Sequence, residues 1–374
     1  MNLILKRLLV VINLFAIVSI PSVLASDTLV ADAMKPGQVI GRHIFGLATD
    51  ANNDPLLINE DPLIYDSVSF HQTMTFEQNT FALSGFRHTI GSLYLTRFNS
   101  DTRKPIDTVS LDMPSVEGLS MPTGAVFTPW QTVLFSEAQN VDAAQADSFI
   151  DTFKPFYKGN AEMVNPYHYG WVSEVVLLDA SGQSKIIKNY AIGRVAASML
   201  YLMPDGRSLY LHDADNSKLL YLFVSEEANN FANGTLYGVS LENDQPVYTR
   251  LGSESVLRMK FSLKRMAFKD LFEREVPEAG SAACPSGFSF VTTQFGNECL
   301  KLKKRNEKYA GLYEPARSLA LKRNGQALSE FDVVSIDVDK RVLAVKASSA
   351  AEKKYSLVQD DQIGSSYVMS EVQK

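Results

Sequence analysis

Five short segments in the middle of the chain set the limits on its fold: SLYLTRF (92 to 98), GWVSEVVLL (170 to 178), RSLYLHD (207 to 213), KLLYLFV (218 to 224) and GTLYGVSL (234 to 241). Each is rich in β-branched and aromatic residues, alternates with a period of two, and is bounded by Gly, Asp or Asn, the pattern of antiparallel strands separated by turns. Three share a Ser/Thr-Leu-Tyr core, beginning at Ser92, Ser208 and Thr235, which reads as an internal repeat of sheet modules. Asp205-Gly206 is a tight-turn dipeptide ahead of the third. The expected fold is therefore mainly β and propeller-like, an incomplete propeller included, rather than a βαβ arrangement. Two segments of helical character, 141 to 154 and 256 to 272, are expected as insertions at one rim. The polar stretch 348 to 374 is expected to be a loosely held tail, so that one β domain occupies 26 to 347.

Residues 8 to 20, LLVVINLFAIVSI, follow Lys6 and Arg7 and precede Pro21 and the small-residue stretch ending at Ala25. The run is short for a membrane span and has the layout of a secretory signal peptide over residues 1 to 25, cleaved after Ala25, with a retained anchor as the alternative. No membrane span is expected after cleavage. A periplasmic or secreted location follows, and neither a lipid-modified cysteine nor a twin-arginine pair accompanies the run. In an oxidising compartment the two cysteines, Cys284 and Cys299, are expected to form a disulfide, worth about 3 kcal/mol for a loop of this size; they lack the further thiols or histidines of a zinc site. A formal net charge of -6 provides no electrostatic footprint for nucleic acid, and the basic run RMKFSLKR (258 to 265) reads as the solvated face of a helix.

The common catalytic signatures are absent. There is no phosphate-binding glycine loop and no HExxH, and GLSMP around Ser120 lacks the second glycine of a nucleophile elbow. The five histidines are scattered singly and read as surface or hydrogen-bonded structural residues. HDADNS (212 to 217) begins like a calcium loop, but Lys218 and Val224 stand where glycine and a bidentate glutamate belong, so a turn capped by Asx side chains is the better reading.

TPWQTVLFSE (128 to 137), NPYHYGWVSEV (165 to 175), YAIGRVAASMLYLMPDGRSLYLHD (190 to 213), LYLFVS (220 to 225), GTLYGVS (234 to 240) and the segment from Cys284 to Lys303 occur in an order that resembles the secreted PhoX-type alkaline phosphatases, from about residue 50 to about residue 345. The resemblance implies a β-propeller whose central opening holds a calcium and iron cluster that hydrolyses phosphate monoesters. It also implies where ligands should stand, and there this chain departs from the pattern. The family's cysteine ahead of the Thr-Pro-Trp motif is Thr123, and the second acid after it is Ala138. Its His-Glu pair is Ala197 and Ser198, an upstream acid is Arg87, and a downstream acid is Ser335.

Glu137, Glu174 and Asp213 remain at acidic family positions and are the candidate metal residues. Three oxygen donors without a thiolate suit a weakly held calcium better than iron, and no other cofactor is expected. The reading is a catalytically degenerate scaffold that binds an envelope protein or a small ligand of unknown identity. The alternatives are an active metal-dependent phosphomonoesterase with a reduced site, and a structural envelope protein with no ligand.

Overall fold

The computed structural model describes residues 34 to 371 apart from 140, 214, 324, 326 to 330 and 348 to 351; the expected signal peptide lies outside the described residues. Four antiparallel sheets follow one another along the chain. The first contains β1 (Phe70–Phe76), β2 (Asn79–Phe86), β3 (Ser92–Phe98) and β4 (Pro105–Ser110). The second contains β5 (Pro122–Phe127), β6 (Val133–Glu137), β7 (Val172–Leu177) and β8 (Ser184–Lys188). The third has five strands, β9 (Met199–Leu202), β10 (Ser208–His212), β11 (Leu220–Glu227), β12 (Asn230–Glu242) and β13 (Gln245–Ser255). In each the strands pair in chain order, as in the blade of a propeller.

The expected mainly β, propeller-like fold is the one found. The first strands of the three sheets, β1, β5 and β9, lie side by side at their inner edge. The core fills the layers between sheets. Val133, Phe135, Val175 and Leu177 pack toward the first sheet, whereas Leu134 and Val172 pack with Leu209, Leu211, Tyr221 and Phe223 of the third. The alternate residues of that third sheet, Tyr210, Leu220, Leu222 and Val224, pack with the fourth. Period-two alternation with apolar residues on both faces is what a sheet buried on both sides requires.

Between the third and fourth sheets the chain inserts α2 (Val256–Leu263), α3 (Phe268–Leu271), a three-stranded sheet of β14 (Phe272–Glu275), β15 (Ser289–Thr293) and β16 (Gly296–Leu302), then α4 (Glu307–Tyr313) and α5 (Pro315–Lys322). The first expected helix shortens to α1 (Asp147–Phe153). The second divides into α2 and α3, because Ala267 is extended at the boundary. Helices α4 and α5 were not expected from the sequence. Cys284 and Cys299 are joined by a disulfide, as expected.

The fourth sheet corrects the reading of the C-terminal segment. Its strands are β17 (Phe331–Asp337), β18 (Val342–Ala347), β19 (Lys353–Asp360) and β20 (Ser366–Glu371), so most of the supposed tail is strand. Tyr355, Leu357, Tyr367 and Met369 enter the layer against the third sheet, while Lys354, Val358 and Ser370 are exposed on the other face. Ser366 and Val368 are buried as well, so the segment mixes packed residues with exposed charged and polar ones, which is why it reads as polar. Among the described residues no helix is long and apolar enough to cross a membrane.

Candidate functional site

Most of the positions singled out by the sequence gather at one end of the first three sheets, linked through the backbone. The Met121 N–H donates to the His88 carbonyl, which follows Arg87, and the Ala138 N–H donates to the Met121 carbonyl. The Ser198 N–H donates to the His212 carbonyl, next to Asp213. Thr123 pairs with Ser136 across β5 and β6. Gly124, at φ +62°, passes so close to β9 that a Cβ there would lie 2.7 Å from the Ser198 carbonyl oxygen, a position that only glycine fills without strain.

Glu137 ends β6 fully buried. Its Oε1 accepts from the Ser120 N–H at 2.8 Å, its Oε2 accepts from the Trp171 N–H at 3.2 Å, and Lys188 Nζ lies 3.3 Å from Oε2. Lys188, at the end of β8, also donates to the carbonyls of Gly118 at 3.0 Å and His168 at 2.7 Å. Burial pushes the Glu137 carboxyl up and the Lys188 ammonium down, and each partner's charge opposes the other's shift. The pair holds together a strand end, a loop and a turn.

His168 belongs to the same cluster. Burial, with the positive charge of Lys188 second, pulls its pKa down to about 4. The folded protein thus keeps the ring neutral in a range where the unfolded chain takes up a proton. Stability from this group is complete above 6.5 and is lost as pH falls toward about 4, by on the order of 3 kcal/mol. Urea unfolding of wild type and His168→Gln across that range should show the difference between them changing by this amount; parallel pH profiles would rule out the histidine as its source.

Glu174 accepts from Trp130 Nε1 at 2.8 Å and Thr132 Oγ1 at 2.5 Å, tying β7 to the Thr128–Thr132 corner. That corner is closed in turn by Thr132 N–H donating to Thr128 Oγ1 at 3.0 Å. Asp213 accepts from the backbone N–H groups of Asn216 and Ser217 and from the Ser217 hydroxyl at 2.7 Å, so HDADNS is the expected Asx-capped turn. Arg87 forms an ion pair with Asp215 of the same turn. Ala138 and Ala197 are buried, placing methyl groups where the resemblance expects ligands, and Ser335 lies exposed at a bulge in β17.

Among the described residues no three His, Cys, Asp or Glu side chains stand together so as to hold a metal ion. Glu137, Glu174 and Asp213 are accordingly not brought together as such a group. Each carboxylate already accepts from protein donors.

The sequence reading missed a larger charged cluster. Arg317 of α5 is fully buried; its Nε donates to Glu298 Oε2 at 2.7 Å, Nη1 to Glu314 Oε2 at 2.9 Å, and Nη2 to Asp142 Oδ1 at 2.9 Å. Its guanidinium also sits over the rings of Phe268 and Phe295. Glu298 is shared with Arg274, and Glu314 accepts from Tyr167 at 3.0 Å and faces Arg194 Nη1 at 3.6 Å. Arg194 donates to the carbonyls of Tyr169, Tyr313 and Val141. Arg317 joins Glu314 and Glu298, 3 and 19 residues away, to Asp142, 175 away, and Arg194 joins carbonyls 25, 53 and 119 residues away, so no local stretch of sequence displays the cluster.

Fold and site together define a mainly β, propeller-like protein whose motif-bearing corners are structural joints. No family model matches the sequence, and no curated protein matches it. Among solved structures, PhoX from Pseudomonas fluorescens, in complex with the transition-state analogue vanadate, is similar at 16% identity and a TM-score of 0.37, over 59% of this chain and 57% of that one. This chain thus matches little more than half of that protein's length. The β-propeller domain of the Trilobed protease from Pyrococcus furiosus, which has an open velcro topology, is similar at 9% identity and a TM-score of 0.21, over 77% of this chain and 95% of that domain.

Proposed function

We propose that the protein is an exported, PhoX-like scaffold that has lost phosphatase chemistry and acts by binding an envelope protein or a small ligand in the periplasm or outside the cell. The observation that carries this reading is the Glu137 carboxylate, fully buried with both oxygens engaged by Lys188 and two backbone N–H groups. Phosphomonoester hydrolysis of the metal-dependent kind needs several cationic centres to neutralise phosphate oxygens and to lower the pKa of a bound oxygen nucleophile. Arg87, Thr123, Ala138, Ala197, Ser198 and Ser335 provide no anionic ligand at the positions the resemblance assigns.

The test is a p-nitrophenyl phosphate assay with calcium and iron supplied, alongside elemental analysis of protein purified from its native compartment. No turnover above background and no stoichiometric metal are expected. Turnover that Glu174→Gln abolishes would overturn the reading and establish a working reduced site.

A further inference from the structure

We infer that the cavity between the inserted sheet and helices α4 and α5 is a binding site for a small amphipathic anion, an apolar body carrying one negative head group. The cavity holds about 410 Å³, within the range of ligand pockets. Its deep wall is apolar: Leu251 of β13 and Leu300 of β16 are buried, and Leu321 of α5 is partly so. Gly311 keeps α4 against β13, since a Cβ there would lie 2.1 Å from the Leu251 carbonyl oxygen. Space for the cavity therefore depends on a helix held by backbone contact.

The mouth carries the charge. Lys301, Lys304 and Lys322 line it against one acid, Glu307, on a chain whose net charge is negative. Lys301 is drawn to Glu273 at 3.1 Å and Lys322 reaches Glu307 only at 3.8 Å, while Lys304 has no carboxylate partner among the described residues. Ser318 also lines the cavity. It is 5% exposed, and its hydroxyl has no hydrogen-bond partner among the described residues. A buried hydroxyl left unpaired is a net cost that an acceptor in the cavity removes. Lysines are point charges that suit a carboxylate, sulfonate or phosphate head, and the apolar wall suits a ring or short alkyl body. The inference goes beyond the scaffold reading, and the phosphatase assay does not bear on it.

Anilinonaphthalene sulfonate is a suitable probe, with the neutral N-phenylnaphthylamine as its uncharged counterpart. One sulfonate per chain should bind, more tightly at low salt. Lys304→Glu with Lys322→Glu, and separately Ser289→Trp, which fills the cavity from an exposed strand position, should each weaken it about tenfold or more. The charge reversals should leave the neutral probe unaffected, and Ser318→Ala should weaken the sulfonate without lowering the melting temperature. Equal affinity for both probes, or binding indifferent to Ser289→Trp, would overturn the inference. So would loss in Phe261→Glu instead, which would place the probe on the exposed Leu257 and Phe261 of α2.

Discussion

Arg317→Met should destabilise the protein by about 3–5 kcal/mol at neutral pH, the range found when one partner of a buried ion pair is removed. The side chain is fully buried, so its loss cannot be made good by solvent. Glu298 would keep Arg274, Glu314 would keep only the longer contact with Arg194 and the Tyr167 hydroxyl, and Asp142 would lose its guanidinium. Methionine retains most of the volume over Phe268 and Phe295, so the change reports charge more than packing. Urea midpoints at neutral pH measure the loss; one below about 1 kcal/mol would mean that Arg317 is not what joins the insert to the second sheet.

Removing Lys188 should cost a similar amount for the same reason, and a double replacement can separate charge from shape. Lys188→Met leaves Glu137 fully buried with two backbone donors and no cation, an arrangement costing about 3–5 kcal/mol at neutral pH. The Gly118 and His168 carbonyls lose their donor as well. Adding Glu137→Gln removes the stranded charge, and the amide oxygen still accepts from one of the two N–H groups. The double variant should then be more stable than Lys188→Met alone, with a coupling energy of about 1–3 kcal/mol from the cycle. Strict additivity would show that the two side chains do not act as a pair. If calcium stabilised wild type but not Glu137→Gln, a cation rather than Lys188 would be the partner of Glu137.

Local chemistry was enough to locate most of the strands and one covalent link. SLYLTRF is β3 residue for residue, and the third sheet falls where alternating apolar segments and the Asp205-Gly206 turn place it. The Asx-capped turn at 213 to 217 and the Cys284 to Cys299 disulfide were also legible, because their determinants lie within a few residues or have no other partner. The helices α4 and α5 and the last two strands were not. They bury small, polar and charged residues beside the apolar ones, Arg317 and Ser318 in α5 and Ser366 in the last strand, so burial there depends on neighbours elsewhere in the chain and leaves no clean apolar period. The destination of each carboxylate was decided only in three dimensions. A glutamate in sequence is equally a metal ligand, an ion-pair partner or a cap, and for Glu137 the choice was made by Lys188, 51 residues on, whose ammonium reaches the same buried space. Arg317 and Asp142, 175 residues apart, meet for the same physical reason: burying a charge is tolerable only beside its opposite, and only the folded chain brings the opposite there.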